Sequence, residues 1–201
     1  MHYVSIDLET TGTDPEHNQI LEFGAIFEDS NIPLPFEELR KFKRILQHPN
    51  YFGQAIAINM NKRIFEILAK YDKLKGDERL DYAVANNIIL PEQLYGDFHE
   101  FVARYYGAYR LIPSDGVNVA GKNFPGFDNL FLKKLCRDNG SPDFPFNRRF
   151  ADPATPYVDW KNDDSLPNLA ECKKRAGVEG EVTHDALQDA WDVIQVLRKK
   201  Y

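Results

Sequence analysis

The chain has 201 residues, 43% of them apolar, with 14 Phe and 10 Tyr, enough for one packed domain, with or without an insertion. Its net charge of −6 argues against tight non-specific binding of duplex DNA, because an acidic surface repels a polyphosphate backbone. There is no run of eighteen apolar residues and no basic segment followed by an apolar stretch, and Cys136 and Cys172 lack metal-type spacing; this predicts no membrane span, no secretory signal, and buried reduced thiols in a cytoplasmic setting.

Residues 2–8 (HYVSIDL) read as a buried strand, and Thr11-Gly12-Thr13-Asp14-Pro15 as a turn. A second apolar strand follows at 19–28 (QILEFGAIFE), and a more exposed third at 39–47. The section from about 48 to 90 fits this pattern poorly and is treated as a helical insertion. Within it, Lys62–Tyr71 has helical spacing, whereas DKLKGDERLDY is charged and reads as a surface loop or helix end. From Pro91 a helix runs to about Tyr106, with Leu94, Phe98, Phe101, Val102 and Tyr105 on one stripe. A short strand is expected at 116–121, then a helix from Phe127 to Asn139 with Phe127, Leu130, Phe131 and Leu135 facing inward and Gly140 as its stop. Leu166–Ala176 forms another helix. The last opens at Thr183 and turns Leu187, Ala190, Trp191, Ile194 and Leu197 inward. Strands first, then helices alternating with short strands, describe an α/β domain: a central mixed β-sheet flanked by helices.

Asp7 and Glu9 stand two residues apart on the first strand, so their side chains share a face with Ser5. Close carboxylates between apolar neighbours repel each other and lose hydration. A hard divalent cation with oxygen ligands relieves both costs. Taken alone, such a pair is more often Glu9 in water at a strand end and Asp7 capping the turn. Two further stretches change that. GKNFPGFDNLFLKKL places Asp128 at a helix start after a short strand, and VTHDALQDAWDVIQVL places His184 at a helix start with Asp189 one turn in. Singly, each is an ordinary helix-start acid, capping histidine or exposed acid.

Together, SIDLETTG with QILEFGAI, then FPGFD, then HDALQDA form an ordered set. This set resembles the DEDDh branch of the DnaQ-like 3′–5′ exonucleases, of the ribonuclease-H-like superfamily, over residues 4 to about 198. The second motif lacks the His-Asn pair of many members. Lys122-Asn123 stands in its place with one extra residue before the aspartate, a spacing similar to oligoribonuclease, which trims very short RNAs.

The resemblance implies a single exonuclease domain over 1–201. It implies two Mg²⁺ or Mn²⁺ ions held by Asp7, Glu9, Asp128 and Asp189, with Asp7 bridging both, and His184 as general base, an imidazole being suited to proton transfer near neutral pH. The substrate would be the 3′ end of single-stranded DNA or RNA, cut to nucleoside 5′-monophosphates. The Thr10-Thr11-Gly12 loop would present backbone N–H groups to the terminal nucleotide. Phe124 and Phe127 flank the second motif and would stack on a base, core packing being the alternative for Phe127 on its helix stripe, and Lys122, Lys133 and Lys134 would meet phosphates. Asp185 and Asp192 compete with Asp189 as ligands, and the family spacing selects Asp189. DNA or RNA, substrate length, and a homodimer or a polymerase partner stay open.

Two other readings compete. An HD-type metal phosphohydrolase would use His184-Asp185 with further helical histidines, His99 being the candidate. A catalytically silent, single-strand-binding or polymerase-associated member of the same fold would be expected to lack at least one of the acids.

Overall fold

A computed structural model describes residues 1–108 and 116–201. Its centre is a six-stranded mixed sheet. In chain order the strands are β1 (His2–Thr10), β2 (Ile20–Asp29), β3 (Arg40–Leu46), β4 (Ile88–Ile89), β5 (Val117–Ala120) and β6 (Phe146–Ala151). In space the order is β4-β3-β2-β1-β5-β6. β1 to β3 form an antiparallel meander, while β5 pairs parallel to β1, β6 parallel to β5, and β4 parallel to β3. The three long strands lie within a residue or two of those read from apolar patterning. β4 was not foreseen, since two residues carry no period, and of β6 only the end was legible, in the strand-like FADP at 150–153, because FNRRFA is half-exposed.

Among the described residues, seven α-helices flank the sheet: α1 (Ala55–Met60), α2 (Lys62–Lys73), α3 (Gly76–Asn86), α4 (Leu94–Ala108), α5 (Asp128–Asn139), α6 (Leu169–Ala176) and α7 (Ala186–Arg198). Strand alternation divides β1 between two cores. Val4, Ile6 and Leu8 join Phe23 and Phe27 of β2 beneath Phe98, Phe101 and Val102 of α4 and Phe131, Leu132 and Leu135 of α5. On the other face Tyr3 and Ile26 pack with Ala190, Val193 and Ile194 of α7. Each large side chain so buried contributes roughly 1.5–3 kcal/mol. The free thiols of Cys136 and Cys172 are buried in these layers. Among the described residues no helix is long and apolar enough to cross a membrane.

Three expectations need correction. The charged stretch after Tyr71 is not a loop throughout, since α3 occupies Gly76–Asn86 and ends on Asn87 in the left-handed region. Leu130 is exposed rather than inward, because Phe127 has non-helical angles and the helical phase starts one residue later. The last helix begins at Ala186, not Thr183. Asp185 is its cap, its carboxylate accepting from the N–H groups of Leu187 and Gln188.

Candidate active site

β1 ends in a bulge between Glu9 and Thr10, and an open cleft of about 350 Å³ lies beside that end. Asp7, Glu9, His184 and Asp189 all line it, with Lys122 and Phe127. Asp128 is buried immediately beneath, and its Oδ1 accepts from the Leu8 N–H at 3.1 Å, which docks the start of α5 on β1. Asp189 sits one turn into α7, and its Oδ1 accepts from the Thr183 N–H at 3.2 Å. Ligand atoms of Glu9, His184 and Asp189 lie within 4.8 Å of one another. Four acids and one histidine from three distant segments thus meet at one end of the sheet.

The pairing of β1 with β2 makes room for this. Asp7 stands opposite Gly24, and Glu9 opposite Glu22. A Cβ on Gly24 would lie 2.3–2.5 Å from backbone atoms of Ala186 and Leu187, so only a glycine admits the start of α7 so close to the carboxylates.

The acids are electrostatically uncomfortable. Burial pushes the Asp7 carboxyl well above its ordinary range, and the charges of Asp128, Glu9 and Asp189 push the same way. Burial raises Glu9 to about 8, reinforced by Asp189 and Glu22 and opposed by Asn61 and Arg63. Burial raises Asp128 to about 7 against the Leu8 N–H. Asp189 is raised by burial too, opposed first by the Thr183 N–H. Buried, mutually repelling oxygen donors beside an imidazole are the donor chemistry of a hard divalent cation.

The other predicted residues are placed as follows. Thr10 and Gly12 line the cleft, but the Thr10 hydroxyl donates to the Gly12 carbonyl at 2.7 Å. Thr11 is buried, with its N–H given to the Gln19 carbonyl and its hydroxyl accepting from the Gln19 N–H, so its backbone N–H is not free for a nucleotide. Phe124 is fully enclosed, packed on Phe146 and Phe150 in the core, and no face of its ring is open to a base. The turn at Phe124–Gly126 carries Phe124 into the core, while Phe127 lines the cleft and also packs on Phe131 against that core, as expected. Lys122 lines the cleft 3.8 Å from Asp152. Asp152 in turn accepts from the Asn123 N–H at 2.9 Å and fastens the turn before Asp128. Lys133 and Lys134 lie outside the cleft. Lys134 pairs with Asp138, and Lys133 lines a separate groove with Arg148.

Asp185 caps α7, and Asp192 is buried against Lys173, so both carboxylates are engaged away from the acid cluster. His99 is exposed on α4, on the face of the sheet opposite α7, which leaves His184-Asp185 without the second histidine that an HD-type site needs.

Sequence reasoning missed the wall opposite Phe127. Ile56, Ala57, Met60 and Asn61, on α1 and at its end, line the cleft. It also missed Glu22, whose signal was visible as a lone carboxylate within the apolar run ILEFGAI.

No protein-family profile and no curated relative matches the chain. Solved structures do. The nuclease domain of 3′hExo, a DEDDh family member bound to rAMP, matches with a TM-score of 0.63 at 15% identity, over 98% of this chain and 90% of that one. The fold is that of the DEDDh nucleases. An E. coli ExoI–ssDNA complex in a zinc-bound form matches with a TM-score of 0.66 at 16% identity, over 98% of this chain and 40% of that one. A 3′-exonuclease recognising the 3′ end of a histone mRNA stem-loop matches with a TM-score of 0.62 at 14% identity, over 98% and 80%. This chain therefore has the extent of a DEDDh nuclease domain and about two fifths the length of ExoI.

Proposed function

We propose that the protein is a divalent-metal-dependent 3′–5′ exonuclease of the DEDDh type. It would remove nucleoside 5′-monophosphates from the 3′ end of single-stranded DNA or RNA, as a single domain over 1–201. One observation carries the reading: Asp7, Glu9, Asp128, His184 and Asp189 converge on one cleft of a DEDDh fold. All four acids are retained, against the silent-member reading.

Asp7, Glu9, Asp128 and Asp189 would hold two Mg²⁺ or Mn²⁺ ions. These would supply positive charge to the phosphate and a water of lowered pKa. His184, exposed and lining the cleft beside Glu9 and Asp189, would take the proton of the attacking water. Phe127 on one side and Ile56 and Met60 on the other offer apolar surface to the terminal nucleotide. Lys122 faces its phosphate. The helices between 48 and 90 act as an insertion that supplies the second wall. Whether the protein works alone, as a homodimer or with a polymerase does not alter this chemistry.

The test is digestion of 5′-labelled single-stranded RNA and DNA of several lengths with Mg²⁺, beside Asp7→Ala and His184→Ala. A ladder shortening from the 3′ side is expected, absent in Asp7→Ala and with EDTA and reduced to a small residual rate in His184→Ala. Internal fragments, or equal activity in the variants, would refute the assignment.

A further inference from the structure

Beneath the rim of the cleft lies a closed ring of four charges that the acid cluster does not use. Glu22 is fully buried on β2. Its carboxylate accepts from Arg63 Nη2 at 2.9 and 2.8 Å and lies 3.2 Å from Lys43 Nζ. Both cations also reach Asp185: Lys43 at 2.6 Å and Arg63 at 3.2 Å. The ring thus joins β2, β3 and α2 to the cap of α7. It grips the backbone too, since the Ala186 N–H donates to Glu22 Oε2 at 3.1 Å.

His184 immediately precedes the gripped residues and has φ +54, in the left-handed region. A non-glycine residue persists there only where its surroundings over-determine it. On the other side the Thr183 N–H is held by Asp189, and the Glu181 carbonyl accepts from Lys173 at 3.3 Å. The segment is fastened on both sides of the histidine, and on the C-terminal side the fastening is the charge ring.

We infer that Arg63 and Lys43, through Glu22 and Asp185, are positioning residues that hold His184 in its reactive place over the acid cluster. The inference rests on the proposed function for its kinetic consequence, but the clamp itself is a property of the fold. Arg63 is the informative member, because its Nη2 meets both carboxylate oxygens of Glu22 as well as Asp185.

The test combines hydrogen exchange with a double-mutant cycle. In Arg63→Gln, the amides of Ala186, Leu187 and Gln188 are expected to lose protection at least tenfold, while core amides of β1 and β2 keep theirs. With a short single-stranded oligonucleotide, Arg63→Gln is expected to lower kcat about tenfold with KM within twofold. In a His184→Ala background the same change is expected to cost less than twofold, since the group being positioned is gone. Unchanged protection at Ala186 would overturn the clamp. Equal kinetic losses in both backgrounds would show that Arg63 acts elsewhere, for instance on Glu9, and would overturn its role through His184. If the unaltered protein cleaves nothing with Mg²⁺, the proposed function falls and takes the kinetic half of the inference with it, while the exchange result still decides the clamp.

Discussion

At the scale of single residues, the defining fact is that Asp7 feels four other acids, Asp128, Glu9, Asp189 and Glu22, and among the described residues no ion pair reaches it. Arg63 and Lys43 are engaged with Glu22 and Asp185. Asp7→Asn is therefore expected to act in two directions. It removes one of the crowded charges, so the metal-free protein should melt higher at pH 8, by several degrees. It also removes a cation ligand, so the rate of 3′ trimming should fall by about a thousandfold, on the order of 4 kcal/mol of transition-state stabilisation. Thermal melts in EDTA and single-turnover cleavage check the two halves separately.

The same crowding sets a pH dependence. Glu9 and Asp128 are raised in the folded protein to about 8 and about 7. Between their ordinary carboxylate range and these values the native state binds more protons than the unfolded chain. Stability then declines as pH rises across that window. The metal-free protein should lose stability steadily from pH 5 to pH 8, on the order of several kcal/mol, with a melting temperature lower by about ten degrees or more. Millimolar Mg²⁺ should restore most of this at pH 8 and little of it at pH 5. A melting temperature that rises from pH 5 to 8 in EDTA would contradict the electrostatics.

At the scale of elements, the argument turns on how closely α7 approaches β2. Gly24→Ala would drive a methyl group into backbone atoms of Ala186 and Leu187, and neither strand nor helix backbone can yield as a side chain can. A loss of about 3 kcal/mol is expected, with His184 and Asp189 displaced so that activity falls further than stability alone accounts for. Urea denaturation beside kcat measurement tests this.

Which elements the sequence made legible follows from the same physics. β1 and β2 are read easily because both are buried on both faces and mostly apolar. α7 is legible as a helix but not in its start, because His184 leaves helical space and hands the cap to Asp185, a decision made by the charge ring and invisible locally. Phe124 reads as a stacking ring because nothing local shows that the turn at Phe124–Gly126 carries it into the core. The acids were legible because strand alternation and one helical turn fix their directions. The α1 wall was not, since Ile56 and Met60 are apolar residues left exposed, and nothing in a linear pattern says which exposed apolar residue faces a cleft.

At the scale of the whole molecule, an acidic chain with a proposed polyanionic substrate has to bind locally rather than through its overall field. Among the described residues, Lys122 is the only lysine or arginine lining the cleft. The cleft's remaining attraction would come from bound cations and from Phe127, Ile56 and Met60. Few phosphates are then neutralised by protein, and for a single strand each contributes about −0.7 to the slope of log affinity against log salt. With one or two such contacts the slope is about −1. Raising KCl from 50 to 200 mM should lower kcat/KM by only about fourfold. The factor should be the same for substrates of five and of twenty nucleotides, because the longer strand finds no further cations to neutralise. A decline of a hundredfold or more, confined to the longer substrate, would instead reveal a second phosphate track. The groove between α5 and β6, where Lys133 and Arg148 meet, would be the place to seek it by charge-neutralising substitution.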